Sequence, residues 1–106
     1  MRKIFGIETY SYYNYSSRDG TKAVAVLRGN NGETCYVHFY GIDVDLPQAV
    51  NLVNNIFIFY YRYSDFHDII DMLRNEKPIS VIYESAGLNN SRISTSAEPI
   101  GEGEEH

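Results

Sequence analysis

The stretch from residue 21 to residue 40 is the part of the sequence that most restricts the fold. Residues 33–40 (ETCYVHFY) alternate between two sets of side chains, as in a strand whose two faces meet different surroundings. Residues 21–28 (TKAVAVLR) form a second apolar stretch, separated from the first by GNNG at 29–32. Because Gly and Asn tolerate positive φ, the sequence predicts a β-hairpin. One face of its second strand is formed by Cys35, Val37 and Phe39.

A first helix is predicted in the middle of the chain. Asp45 is a good N-cap, Pro47 sits in the first turn and Gln48 completes a capping box. The wide apolar face that continues over 46–60 suggests a helix buried on two sides or covered by a partner subunit. Residues 56–61 (IFIFYY) also fit a buried strand, and periodicity alone does not separate the two interpretations.

A second helix is predicted from Ser64, its N-cap, to the residues before Pro78, with apolar positions at helical spacing between them. Three further strands are predicted, over 2–10, 79–83 and 92–96. The order of elements predicts an α+β domain in which two helices pack on an antiparallel sheet. We expect this single domain to span residues 1–97 and to be followed by an acidic, Gly-rich tail at 98–106.

The aromatic content bears on both packing and function. The chain has 106 residues, the size of one domain, and contains 10 Tyr and 5 Phe but no Trp. Tyr offers a flat apolar ring with a polar tip, so it suits half-buried surfaces, subunit interfaces and platforms on which bases stack. An aromatic core combined with a codon bias explains the same composition, and both interpretations stay open.

Charge and cysteine content exclude several classes of protein. The net charge of −5 argues against a protein that coats duplex nucleic acid, which needs a basic face, but allows one anionic ligand in a local pocket. Cys35 is the only cysteine, so no disulfide forms within the chain. No apolar run approaches the ~20 residues of a membrane span, and no signal peptide is visible. We expect a cytoplasmic protein without membrane association.

Residues that could catalyse a reaction are few and scattered. Cys35 falls on the apolar face of its strand, where a packing cysteine is expected. His38, His67 and His106 lack the spacing of a metal-binding or catalytic motif, and only His38 is a candidate general base. We therefore expect a binding protein and not an enzyme, with no metal site and no cofactor.

The segment 89–96 (NNSRISTS) is the richest in groups that bind a polar ligand, with two amides, one guanidinium and four hydroxyls. Amides and hydroxyls bind base edges and ribose, and Arg pairs bidentately with phosphate. A bare polar loop has the same composition. Further stacking and phosphate contacts are available from Tyr12, Arg28, Arg62 and Tyr63.

The same region carries a resemblance to a known family. Residues 90–104 (NSRISTSAEPIGEGE), together with residues 4–10 (IFGIETY), resemble the first family of phage Thoeris anti-defence proteins. The rest of the chain agrees with that family in size and element order. The resemblance implies a homo-oligomer that sequesters cyclic ADP-ribose isomers, and in some members cyclic di- and trinucleotides, between its subunits without cleaving them. It also implies that four residues of the matched stretch bind the ligand: Asn90, Arg92, Ser94 and Thr95.

Two other functions remain open. An enzyme that degrades a signalling nucleotide would need a general base, and His38 has no visible partner in the sequence. A protein-binding inhibitor of a host factor, or an acidic decoy, would need dense negative charge over its surface, whereas part of the acidic residues of this chain lie in the tail. If a phage encodes the chain, its place of action would be the bacterial host cytosol.

Overall fold

The predicted hairpin forms the centre of the fold. The computed structural model describes residues 1–16, 20–85 and 90–95. Strands β3 (Thr21–Arg28) and β4 (Thr34–Tyr40) pair antiparallel, and Gly32 in the turn between them has a φ of 84°. The predicted inner face of β4 is buried, which confirms the alternation seen in the sequence. The tail predicted at 98–106 lies outside the described residues.

The described part of the chain has ten elements, of which eight are strands arranged in two sheets. Besides β3 and β4 they are β1 (Arg2–Gly6), β2 (Thr9–Asn14), β5 (Val50–Asn51), β6 (Ile56–Arg62), a 3-10 turn (Tyr63–Asp65), α1 (Phe66–Asn75), β7 (Ile79–Glu84) and β8 (Arg92–Thr95). The larger sheet has the order β2-β3-β4-β6-β5 and the smaller one the order β1-β7-β8. All strand pairs are antiparallel except β4 with β6, which run parallel. The predicted α+β class is confirmed, although the strands form two sheets and the larger one is mixed.

The helix predicted over 46–60 is wrong, and α1 is the one α-helix in the part of the chain that the structure describes. After β4 the backbone is irregular to residue 49, forms β5, and turns at Asn54, whose φ is 48°. Parallel strands need a crossover of about a dozen residues or more, and residues 41–55 provide it. The other interpretation of 56–61, a strand, is confirmed, and Phe57 and Phe59 are its buried residues.

Two element boundaries also differ from expectation. The strand predicted over 2–10 divides into β1 and β2, because the chain changes sheets there: the Ile7 N–H donates to Ile79 O at 2.9 Å, and the Glu8 N–H donates to Arg28 O at 2.7 Å. The second predicted helix is confirmed as α1. Its N-cap position is held by Asp65 and not by Ser64.

The hydrophobic core fills the space between the two sheets. Phe57 of β6 packs its ring against Phe5 at 5.8 Å and Tyr83 at 5.3 Å, both from the smaller sheet. Helix α1 closes one end of the core, where the ring of Phe66 meets the ring of Phe39 at 5.0 Å. Only one face of the larger sheet packs into this core. Within the described residues, no helix has the length and apolarity needed to cross a bilayer.

Gly29 sits where β1 crosses the end of β3, and this crossing generates a stability prediction. A Cβ atom at position 29 would lie 2.9 Å from Phe5 Cδ2 and 3.0 Å from the carbonyl oxygen of Gly6. We predict that Gly29→Ala lowers the free energy of unfolding by about 1–3 kcal/mol, because a packed ring and a backbone carbonyl must move. Urea unfolding of the variant measures this loss.

Gly6→Ala is the matched control, because no heavy atom lies within 4 Å of the Cβ position there. This variant should not be destabilised. An equal loss of stability in both variants would show that steric crowding at position 29 is not the cause.

Candidate ligand-binding face

The outer face of the larger sheet is lined by aromatic side chains. Successive residues of a strand point to opposite sides of a sheet, so the neighbours of the core residues point outward. Val24 and Val26 on this outer side are only 1% and 8% exposed although they lie outside the core cluster, so large neighbours cover them. We call this surface the aromatic face, and its larger members are Tyr13, Tyr36, His38, Tyr40, Ile58 and Tyr60.

Three rings of β4 and β6 form a cluster on the aromatic face. The ring of Tyr60 lies 5.4 Å from that of Tyr40 and 5.7 Å from that of His38, measured between centroids. Burial raises the pKa of the Tyr60 phenol above its usual value, and the nearby Tyr40 phenol raises it further. The Tyr60 phenol is therefore neutral at physiological pH, and its ring offers an uncharged face and edge to a ligand.

A cleft opens at the end of the aromatic face where β4 and β6 finish. Its volume is about 650 Å³. The parallel register places Tyr40 beside Arg62. A register shift between Thr21 and Ala23 leaves Lys22 without a partner on β4. The cleft is lined by Lys22, Tyr40, Gly41, Ile42, Arg62, Tyr63 and Ser64.

Arg62 and Lys22, the two cationic residues of the cleft, differ in their contacts. Arg62 donates from Nη1 to the carbonyl oxygen of Gly41 at 2.6 Å and to that of Val44, so it fixes the loop that forms one wall. Lys22 runs along the same loop, since a Cβ atom on Gly41 would lie 3.1 Å from Lys22 Cε. Among the described residues, the Lys22 ammonium has no hydrogen-bond or ion-pair partner. It is therefore available to an anionic ligand.

Of the ligand-binding residues predicted from composition and chemistry, the structure places some in the cleft and others elsewhere. Arg62 and Tyr63 line the cleft. Arg28 is on the same outer face but at the opposite end of the sheet, where its Nη1 lies 3.4 Å from Thr34 Oγ1. Tyr12 points to the core side of the sheet and packs its ring edge-on against Phe66 at 5.7 Å. Two of these four residues are thus brought together.

The four residues transferred by resemblance lie on or beside β8, an edge strand of the smaller sheet. Arg92 donates to the carbonyl oxygen of Asn90 at 2.7 Å and lies 3.7 Å from the carboxylate of Glu84. The Ser94 hydroxyl donates to the carbonyl oxygen of Thr95 at 3.0 Å. None of the four lines the cleft, so ligand binding by this group stays a prediction.

Lys22 and Tyr40 are the cationic and the aromatic residue of the cleft that sequence reasoning missed. Each belongs to a strand that the sequence predicts correctly, so its presence on a strand was visible. Their proximity to Arg62 depends on the irregularity in β3 and on the parallel pairing of β4 with β6, neither of which leaves a local signal. The alternation of 33–40 was the one available clue, since it places Tyr40 on the face opposite the core.

The candidate catalytic residues sit in settings that suit packing. Cys35 is fully buried, and this burial raises the pKa of its thiol far above the usual value. His38 lies with its Nδ1 3.5 Å from Thr21 Oγ1, and its ring is part of the aromatic cluster. In the described part of the chain, no group of three or more His, Cys, Asp or Glu side chains is arranged to hold a metal ion.

Comparisons of this chain with protein-family models, with curated proteins and with solved structures each give no significant match.

The burial of Cys35 generates a prediction about its reactivity. A thiol reacts as the thiolate, and both the raised pKa and the lack of access suppress that form. We predict that the folded protein does not react with a thiol-specific disulfide reagent at neutral pH, whereas the urea-unfolded chain reacts at once. Rapid modification of the folded protein would contradict this and would reopen a role for Cys35 as a nucleophile.

Proposed function

We propose that this protein captures a small anionic nucleotide in the cleft at the end of the aromatic face and releases it unchanged. The observation that carries this proposal is the meeting of Lys22 and Arg62 with Tyr40 and Tyr63 around one cavity of about 650 Å³. Cations and phenol rings gather there although the chain has a net charge of −5. This combination suits a ligand that has both phosphate and base.

The dimensions and chemistry of the cleft support a ligand of that class. Sites for small molecules typically have volumes of about 300–1,000 Å³ and combine apolar walls with a few polar groups. Lys22 offers a mobile ammonium for a phosphate, and Arg62 adds positive charge while it holds the loop. Stacking of a base on an aromatic side chain contributes about 1–3 kcal/mol. Tyr40 and Tyr63 line the cleft and supply the rings for such contacts.

The resemblance to the Thoeris anti-defence proteins supports a narrower ligand class. Cyclic ADP-ribose isomers carry two phosphates and an adenine, and cyclic di- and trinucleotides carry phosphates and several bases. We propose these cyclic nucleotides as the ligands, sequestered without turnover by a homo-oligomer. In this proposal the protein acts in the cytosol of a phage-infected bacterium and removes the signal on which host immunity depends.

Binding without turnover is supported by the settings of the two candidate catalytic residues. An enzyme that cleaved the ligand would need a nucleophile or base that can reach it. Cys35 lies in the core, and its raised pKa keeps it protonated. His38 belongs to the aromatic cluster beside Thr21 and is not among the residues that line the cleft. We therefore expect the ligand to leave the protein in the form in which it entered.

A retention experiment tests the proposal. The protein is incubated with a panel of cyclic ADP-ribose isomers and cyclic di- and trinucleotides, separated from unbound ligand, and denatured by heat. Chromatography of the supernatant should recover one or more intact nucleotides. A new chemical species would indicate an enzyme, and the absence of any retained nucleotide would contradict the proposal and favour a protein partner.

Point variants locate the site. We predict that Lys22→Ala lowers the affinity for the retained nucleotide by about 10- to 100-fold, because hydrogen bonds to charged groups contribute about 1.5–3 kcal/mol. Calorimetric titration measures the change. Since Lys22 is exposed, the melting temperature of the ligand-free protein should stay nearly constant.

Arg92→Ala is the matched comparison, because Arg92 is also an exposed strand cation but lies on the smaller sheet. If the ligand binds in the cleft, the affinity of Arg92→Ala should equal that of the unmodified protein. If Arg92→Ala abolishes binding and Lys22→Ala does not, the site is the one on β8 that the resemblance implies, and the assignment to the cleft is wrong.

A further inference from the structure

Strand β2 forms an open edge of the larger sheet that differs from the other sheet edges. It pairs with β3 on one side and has no strand on the other within the described residues. Proteins protect such edges with charges, prolines, bulges or very short strands. The opposite edge, β5, has only two residues, and the edges of the smaller sheet carry Arg2, Lys3 and Arg92. Strand β2 (TYSYYN) has six residues, no charge and no proline, and its register with β3 is regular.

The free backbone groups of β2 follow from its register. In an antiparallel pair, every second residue exchanges hydrogen bonds with the partner strand. The Tyr15 N–H donates to the carbonyl oxygen of Lys22 at 2.9 Å, and this pair is in register with the β2–β3 ladder. Odd-numbered residues of β2 therefore bond to β3. The N–H and C=O groups that face away from β3 are those of Tyr10, Tyr12 and Asn14.

We propose that two copies of this chain pair antiparallel through β2, with the two-fold axis at Tyr12. In this register Tyr12 faces Tyr12 of the partner subunit, and Tyr10 faces Asn14 of the partner subunit. All three pairs join residues with free backbone groups, so six hydrogen bonds form. The partners in each pair also point to the same side of the sheet, so core side meets core side. A shift of this register by one residue would pair free backbone groups with groups already bonded to β3. It would also place core-side side chains beside outer ones.

The charge of β2 favours a second copy as the occupant of this edge. Two copies of a chain with a net charge of −5 repel each other unless the meeting surfaces are neutral. Residues 9–17 (TYSYYNYSS) contain no charged side chain. Tyr12 and Tyr13 are 42% and 46% exposed as residues, which supplies apolar area at the contact. The pairing would also join the two aromatic faces into one surface that spans both subunits.

A proline variant tests this interface and leaves the hydrogen bonds between β2 and β3 in place. The Tyr12 N–H points away from β3, so Tyr12→Pro removes a hydrogen-bond donor from the interface and none from the sheet of its own chain. Tyr12→Ala is the matched control, because it loses the same phenol ring and keeps the N–H. Both are compared with the unmodified protein, without ligand, by light scattering coupled to size-exclusion chromatography.

We expect the unmodified protein and Tyr12→Ala to have twice the 12.2 kDa mass of the chain, and Tyr12→Pro to have the mass of one chain. A monomeric unmodified protein would overturn the proposal. So would a dimeric Tyr12→Pro, which would place the contact elsewhere, such as on the aromatic face. Because no nucleotide is present, failure here is distinct from failure of the proposed ligand site.

Amide hydrogen exchange of the unmodified protein gives a second test that does not depend on how a variant folds. The amides of Tyr10, Tyr12 and Asn14 should exchange slowly, like those of the paired odd-numbered residues of β2. Fast exchange at these three positions beside slow exchange at Ser11 and Tyr13 would show an open edge and would overturn the proposal.

Discussion

The parallel pairing of β4 with β6 is the contact on which the rest of this structure depends. It brings Phe57 and Phe59 into the core, where they are at most 2% exposed. The same register places Tyr60 and Arg62 on the other side of the sheet, beside His38 and Tyr40. One pairing therefore builds both the core and the aromatic face, because alternate residues of β6 serve opposite sides of the sheet.

The crossover that this parallel pair requires also shapes the candidate site. Residues 41–55 carry the chain from the end of β4 back to the start of β6, and the first part of this segment forms a wall of the cleft. Arg62 fixes that wall through the carbonyl oxygens of Gly41 and Val44. The charge that suits an anionic ligand thus also maintains the shape of the cavity. Lys22 does not hold the loop in this way. A substitution of Lys22 therefore tests ligand affinity separately from the stability of the fold.

The sequence predicts the elements that depend on neighbouring residues. The hairpin at 21–40, helix α1 and strand β7 follow from alternation, helical spacing and turn residues, and all are present. Asp45, Pro47 and Gln48 give a genuine local capping pattern, but strand pairing in the tertiary structure overrides it. The helix expected over 46–60 is therefore absent. Asn54 and Asn55 in the middle of that segment are turn residues, and they were the available signal against a helix.

The site could be predicted only in part for the same physical reason. Arg62 and Tyr63 were recognisable as a cation beside a ring, which needs no knowledge of the fold. Lys22 joins them only because a register shift in β3 and a parallel strand pair bring distant positions together. Arg92 stands out in the sequence through its polar neighbours, but the fold places it beside Glu84 on the smaller sheet. Composition identifies candidate groups, whereas topology decides which of them meet.

Titration of the isotope-labelled protein with a retained cyclic nucleotide, followed residue by residue by NMR, tests the central claim most directly. If the ligand binds in the cleft, the largest shift changes fall on Lys22, Tyr40, Arg62 and Tyr63, while the backbone signals of β8 stay in place. Changes concentrated on Arg92 and its neighbours, with the cleft residues unmoved, would contradict the claim that the aromatic face holds the ligand.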